Sequence, residues 1–346
     1  MSKPIKVESI HLLRGIAILA IVFQHCMSEL EPSLKGKTGF YYLLIQNTIT
    51  GLTTTFVIIA GYLFQLLNSR YSTKTYYISK IKNVVLPYLF VSLFSFMLFS
   101  PSIFDGNSTL RTISNVNYHL LNGDINHPLW FIPMIILIYM LGPIFYILSN
   151  RNITGFAICC FVILSIYQRP LPDAGPIYNA IYFFLVYIIG MAIRQNQELL
   201  FGITRKNMIL FMALVLLPAF ISITREYINL PWEVSTRRDQ ALIIFTILTL
   251  FTLSTYKISI KLKSCLSILA NYSFAIYFLH LFFIRLVIYI FNMQIPFFDN
   301  LINSSKSIES VIACIMVFIP STLVTIAFIS FFKKIFGVSS RYVIGY

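Results

Sequence analysis

The stretch LLRGIAILAIVFQH, residues 12–25, decides how the rest of the sequence is interpreted. It is apolar for most of its length, yet it carries an arginine near one end and a histidine at the other. Ionisable residues are costly inside a lipid bilayer, and they usually face the interior of a helix bundle or a cavity. If this stretch spans a membrane, Arg14 and His25 are therefore the first candidates for a functional role.

The composition of the whole chain indicates a membrane protein. The chain has 346 residues, of which 58% are hydrophobic and 11% charged, and its mean hydropathy is +0.80. Soluble domains carry about 25% charged residues. We therefore predict an all-α, polytopic transmembrane helical bundle of about ten spans, forming one domain over residues 1–346 with no appended soluble domain. Repeated apolar stretches of this kind are typical of helices that cross about 30 Å of hydrocarbon, and the fifth is short. The ten predicted spans lie near residues 10–28, 49–67, 84–104, 129–149, 153–168, 177–193, 207–224, 241–256, 266–290 and 308–332.

The distribution of charge predicts the orientation of these spans. With the N-terminus inside, the inner ends and loops hold sixteen basic and two acidic residues, whereas the outer loops hold eight basic and ten acidic ones. Arg14 and Arg285 remain within spans. This asymmetry follows the positive-inside rule, so both termini are expected to be cytoplasmic. The net charge of +14 then reflects topology rather than nucleic-acid binding, and a basic inner face also attracts anionic substrates.

The cysteines and the longer connections give weaker signals. All five cysteines fall in apolar stretches without a C-x-x-C pattern, and buried free cysteines behave as small hydrophobes, so we predict no metal site. Outer loops near residues 105–128 and 225–240 combine mixed charge with aromatic residues. Such loops suit contact with sugars, but ordinary solvated loops have the same composition. An inner connection near residues 68–82 carries basic residues that either anchor the topology or bind phosphate.

Helical geometry relates Arg14 to His25. Eleven residues at 100° each amount to three turns and about 20°, so both side chains share one face, about 16 Å apart along the axis. Gly15 and Ala17 are small enough to let another helix approach closely. The simplest interpretation is that Arg14 reaches toward the cytosol and His25 bonds to a neighbouring helix. A second histidine in an apolar span, His280, favours catalysis instead, because a neutral imidazole can take a proton from an alcohol.

The R-x10-H arrangement of Arg14 and His25 resembles the first helix of the acyltransferase 3 family of bacterial integral-membrane O-acyltransferases. The sequence departs from the family pattern at two places, of which only the second concerns donor binding. Ala60 stands where serine is common, and Lys80, Lys82 and Asn83 stand where an R-x-x-R pair is frequent. A lysine can still pair with phosphate. Four further stretches resemble family motifs in the right order: TTFVIIAGYLF (54–64), SKIKNVVLPYLF (79–90), HPLWFIPMIILIYMLGP (127–143) and NYSFAIYFLHLFF (271–283).

The resemblance implies an O-acyltransferase of the bacterial cytoplasmic membrane. It implies transfer of an acyl group, with acetyl expected, from acyl-CoA to a sugar hydroxyl of a surface polysaccharide or its lipid-linked precursor. The expected partners are acyl-CoA as donor substrate, a glycan acceptor and membrane lipids, with no tightly bound cofactor and no nucleic acid. The expected site residues are His25 as general base, Arg14 to orient the donor, Lys80 and Lys82 for the CoA phosphates, and Trp130, Tyr277 and His280 lining the cavity.

Two other functions use the same residue types. A transporter or exporter of a polysaccharide intermediate would place Arg14, His25 and His280 along the substrate path. A membrane scaffold subunit would need neither histidine for activity. Consumption of acyl-CoA in step with acceptor acylation distinguishes the enzyme from the transporter, and His25→Ala should have no effect in a scaffold that still folds.

Overall fold

The computed structural model describes residues 7–34, 40–99, 109–228, 238–295, 298 and 307–345. Within these residues, helices are the only regular secondary structure, as predicted. A π-helical turn, Ile81–Val85, joins α4 to α5. The α-helices are α1 (Val7–Leu30), α2 (Phe40–Ile49), α3 (Thr53–Leu66), α4 (Thr73–Lys80), α5 (Leu86–Phe99), α6 (Thr109–Asn122), α7 (Phe131–Met140), α8 (Gly142–Ser149), α9 (Thr154–Ile166), α10 (Pro176–Gln195), α11 (Gln197–Lys206), α12 (Met208–Ile228), α13 (Arg238–Thr255), α14 (Ile260–Gln294), α15 (Ser307–Phe336) and α16 (Ser340–Ile344).

Several helical segments are long and apolar enough to cross a membrane. In the described part of the chain there are six, or up to eight if each of two bent helix pairs, α7 with α8 and α11 with α12, forms one span. Helix α9 is apolar but shorter. The all-α membrane class is thus confirmed, while the count of ten spans and the cytoplasmic termini stay predictions. The six segments are Glu8–Leu30, Phe40–Leu66, Thr73–Met97, Pro176–Gln195, Ile260–Gln294 and Ile308–Ile344.

The chain divides into two compact units. The first comprises Met1–Ile59 and Asn196–Ser330, and the second comprises Ala60–Gln195 and Phe331–Tyr346. The three boundaries fall within α3, between α10 and α11, and within α15. The single domain expected over residues 1–346 stays a prediction.

In the first unit, α1 lies alongside α14 and runs in the same direction. Glu8 forms an ion pair with Lys263 near the start of both helices, and Gly15 lies against the backbone of Leu266. A Cβ atom at Gly15 would lie 3.2 Å from the Leu266 carbonyl carbon and closer still to its oxygen. Only glycine permits this approach, so the close packing predicted at Gly15 is confirmed.

In the second unit, α10 packs against α7 and α9. Aromatic rings fill part of this core: those of Phe145 and Tyr187 stack with their centroids 4.3 Å apart. Because Gly61 has no side chain, α3 can lie directly against the backbone of Tyr187. A Cβ atom added to Gly61 would lie 3.0 Å from the Tyr187 carbonyl carbon. The glycine of the TTFVIIAGYLF stretch therefore has a packing role.

Two predicted boundaries are corrected. The inner connection expected over 68–82 is largely helical, because α4 begins at Thr73 and continues through the π turn into α5. The turn precedes Pro87, whose ring and missing N–H disturb the regular hydrogen-bond ladder one turn earlier. The second span, predicted from residue 49, is part of a longer segment from Phe40 that breaks near Gly51, where φ is 92°. Hydropathy marks the apolar part of a helix, whereas the helix itself extends beyond it.

Candidate active site

Arg14 is fixed against α14 by three hydrogen bonds. Its Nη2 donates to the Ala270 carbonyl at 2.9 Å and to the Ser273 hydroxyl at 2.8 Å, and its Nε donates to the same hydroxyl at 3.3 Å. Ser273 in turn donates to the Ala270 carbonyl at 2.9 Å. Both acceptors are uncharged, so these contacts orient the guanidinium without neutralising its charge.

His25 of α1 lies next to His280 of α14, about three turns beyond Arg14 along α1. Their ring centroids are 5.0 Å apart with the planes tilted by 47°. Both side chains are buried, with His25 9% exposed and His280 1% exposed. Since Arg14 and His25 both contact α14, the prediction that they share one face of α1 is confirmed.

The hydrogen bonding of His280 fixes which ring nitrogen carries its proton. Its Nδ1 lies 2.9 Å from the carbonyl oxygen of Ile276, one turn earlier in α14. A carbonyl only accepts hydrogen bonds, so Nδ1 is the donor, and in the neutral ring Nε2 presents a lone pair. Nε2 is buried and has no hydrogen-bond partner among the residues that the structure describes. A ligand hydroxyl placed there would satisfy it.

Two further features lie beside the histidine pair. The ring of Tyr277, a predicted cavity residue, is buried with its centroid 6.2 Å from that of His280. Arg285 forms a bidentate ion pair with Glu29, with Nε 2.9 Å from Oε2 and Nη2 3.1 Å from Oε1. The sequence alone places Arg285 within a span and assigns a role neither to it nor to Glu29. The two are 256 positions apart, so no local pattern connects them.

The predicted donor-binding lysines lie in the second unit and differ in their surroundings. Lys80, the last residue of α4, holds its Nζ 3.8 Å from the ring centroid of Tyr139 and 5.1 Å from that of Tyr76, a cation–π arrangement. Lys82, in the π turn, is exposed. Of the two, Lys82 is the more accessible to a phosphate.

Trp130, the third predicted site residue in the second unit, ends a 3₁₀ turn at the start of α7. Its ring packs against that of Phe183, with centroids 6.0 Å apart. The structure thus gathers Arg14, His25, Tyr277 and His280 in the first unit and places Lys80, Lys82 and Trp130 in the second.

The outer loops considered for sugar contact lie partly outside the described residues, namely 100–108 and 229–237. At the described end of the second loop, Asp239 is buried and accepts a hydrogen bond from the Thr54 hydroxyl at 2.6 Å. Arg238 donates to Asn47 at 3.0 Å. These charged residues stabilise the start of α13, so their presence in the loop sequence has a structural explanation.

Two buried imidazoles thus lie between α1 and α14, with Arg14 anchored between the same two helices. The acyltransferase domain family, acyltransferase 3, matches residues 7–330 of the chain. The chain belongs to this family and is therefore a membrane acyltransferase. No curated protein and no solved structure matches it.

Proposed function

We propose that the protein is an O-acyltransferase of the bacterial cytoplasmic membrane. It transfers an acyl group, with acetyl expected, from acyl-CoA to a sugar hydroxyl of a surface polysaccharide or its lipid-linked precursor. The observation that carries this proposal is the buried Nε2 of His280, oriented by Ile276 and adjacent to His25. It offers a lone pair where an acceptor hydroxyl can donate its proton.

The reaction requires one proton to move to the histidine pair and back. The acceptor hydroxyl donates to an imidazole nitrogen, and as that nitrogen takes the proton the oxygen attacks the thioester carbonyl carbon. The new C–O bond forms, the C–S bond breaks, and the sulfur leaves with the bonding electrons. The imidazolium then returns its proton to the thiolate, which gives the free CoA thiol and a neutral histidine.

Two assignments of the base are compatible with this step. His25 is the base that the sequence resemblance implies, and it stays a prediction. The Nδ1–carbonyl bond of His280 favours His280 as the group that takes the proton, with His25 orienting the acceptor or the second imidazole. A carbonyl that holds one ring nitrogen in its N–H form is an arrangement that general bases use to fix their tautomer.

The residues proposed to bind acyl-CoA are assigned from their charge. CoA is a polyanion, and Arg14 carries a positive charge because a guanidinium is not deprotonated in proteins; its hydrogen bonds to Ala270 and Ser273 orient that charge. Arginine suits bidentate phosphate binding, whereas lysine acts as a point charge. Lys82 is exposed and can contribute such a charge, while Lys80 already lies over the Tyr139 ring.

The test compares cells with and without the protein. Mass spectrometry of surface glycans should find acylated sugars only when the protein is present, and membranes containing it should release CoA thiol from acetyl-CoA in step with acceptor acylation. A transporter or a scaffold would leave acetyl-CoA intact. Unchanged glycans together with no thiol release would contradict the proposal.

A further inference from the structure

About one helical turn beyond the histidine pair, an ion pair joins α1 to α14. Glu29 lies one turn beyond His25, and Arg285 lies five residues beyond His280. The pair uses both carboxylate oxygens and two guanidinium nitrogens, at 2.9 and 3.1 Å. Four residues of an α-helix span about 6 Å along its axis. The distance between the ion pair and the histidine pair is therefore comparable to the size of one sugar unit.

The ion pair is more accessible than the histidines. The side chains of Arg285 and Glu29 are 40% and 24% exposed, against 9% and 1% for residues His25 and His280. A substrate that approaches from this end of the two helices therefore meets the ion pair before the imidazoles. A partly exposed ion pair contributes only about 0–1 kcal/mol to stability, so joining the two helices is a weak reason for its presence.

We propose that Glu29 and Arg285 form the binding site for the acceptor, orienting a polyhydroxylated substrate so that one hydroxyl reaches the histidine pair. This inference rests on the proposed function, since it assigns the acceptor to the same site. A hydroxyl neighbouring the reacting one donates to Glu29, and another accepts from Arg285.

The chemistry of the two groups fits a sugar. An ionised carboxylate has about four lone-pair positions, and the bond from Arg285 to each oxygen leaves room for a second donor on that oxygen. Hydroxyls both donate and accept, so adjacent sugar hydroxyls match a carboxylate beside a guanidinium. Glu29 lies one turn beyond His25 on α1, so its negative charge is close to the histidine pair. A negative charge nearby stabilises the imidazolium formed when the hydroxyl loses its proton.

A purely structural ion pair would join the two helices and do nothing else. The experiment therefore compares Glu29→Gln and Arg285→Lys with the swapped variant Glu29→Arg/Arg285→Glu. Each is assayed with acetyl-CoA as donor and a panel of octyl glycosides as acceptor probes, and its thermal unfolding is recorded in detergent. The matched control is Glu8→Gln, which removes the ion pair with Lys263 that joins the same two helices near their other end.

We expect Glu29→Gln and Arg285→Lys to raise the KM for the glycoside about 10–100-fold, the usual effect of losing a hydrogen bond to a charged group. The KM for acetyl-CoA should change by less than about twofold, within the scatter of distant substitutions. Glu8→Gln should alter neither KM. The swapped variant should have nearly the wild-type unfolding temperature, because the ion pair is restored. Its KM for the acceptor should stay raised, because each charge now faces the wrong part of the sugar.

Two results would overturn the inference. The first is a swapped variant with both the wild-type unfolding temperature and the wild-type KM for the acceptor. The ion pair would then only hold α1 and α14 together. The second is a normal acceptor KM in Glu29→Gln. If the wild-type protein acylates no glycoside and consumes no acetyl-CoA, the proposed function itself fails, and this outcome is distinct because it appears before any substitution is made.

Discussion

Replacing the two imidazoles, singly and together, tests whether they act as one catalytic unit. Glutamine is the informative substitute for His25 and His280, because its amide can hydrogen-bond but is not a base near neutral pH. Asparagine at position 280 places an N–H near the position of Nδ1, so it can keep the bond to the Ile276 carbonyl without restoring a base. Comparing His280→Asn with His280→Gln therefore separates loss of the base from loss of the bond to Ile276.

The expected loss of rate depends on whether each histidine acts as a general base. Losing a positioned general base lowers the rate about 10²–10⁴-fold. Losing the bond to Ile276 alone costs about 1 kcal/mol of stability, which a folded protein with a normal margin tolerates. If the histidines acted independently, the double variant would lose about 10⁴–10⁸-fold, the product of two such factors. If they form one unit, the double variant is no slower than the slower single variant.

The measurement is CoA thiol release from acetyl-CoA by purified protein in lipid discs, with acylated acceptor quantified by mass spectrometry. His11→Gln is the matched control, since His11 also lies on α1 but outside the histidine pair. It should keep the wild-type rate. A wild-type rate in His280→Gln would refute the argument from the Nε2 lone pair, and wild-type rates in both single variants would remove proton transfer from this site altogether.

Two further predictions concern packing and the donor. Gly15→Ala should destabilise the protein by about 1–3 kcal/mol, the usual cost of overpacking, because its Cβ would overlap the Leu266 backbone; Gly202→Ala, which meets no atom within 4 Å, should not lower the unfolding temperature. Lys82→Glu should raise the KM for acetyl-CoA more than that for the acceptor, and more than Lys80→Gln does, because Lys82 is exposed whereas Lys80 lies over the Tyr139 ring. An unchanged donor KM in Lys82→Glu would remove Lys82 from the donor site.

The features that sequence predicted well are local ones. Hydropathy alone identified the helical membrane class, and the 100° rotation per residue placed Arg14 and His25 on one face of α1. The small side chain of Gly15 also indicated where another helix comes close. Each of these inferences depends on residues within a few turns of one another, so no knowledge of the tertiary fold was needed.

The features that sequence missed depend on partners far apart in the chain. Nothing near Glu29 indicates that Arg285 lies opposite it, and nothing near Arg14 indicates Ala270 or Ser273. The buried, unsatisfied Nε2 of His280 was missed for another reason. Its bond to Ile276 is local, but whether Nε2 is buried or satisfied depends on the helices packed around it. The start of the helical segment at Thr73 was also placed too late, because the polar first turns of a helix do not register in its hydropathy.

The order of groups along α1 leads to a prediction about Arg14. It lies about 16 Å from the position of His25, too far to contact the reacting carbonyl. In acyl-CoA, the thioester and the diphosphate are separated by the pantetheine arm of more than ten bonds, so an arginine at this distance can bind phosphate while the thioester reaches the histidines. Arg14→Gln should therefore raise the KM for acetyl-CoA about tenfold or more, as expected for a lost charge-assisted bond. It should leave the rate with the acetyl thioester of N-acetylcysteamine, which has no phosphate, nearly unchanged. If both donors lose rate equally, Arg14 supports the fold through Ser273 and does not bind the donor.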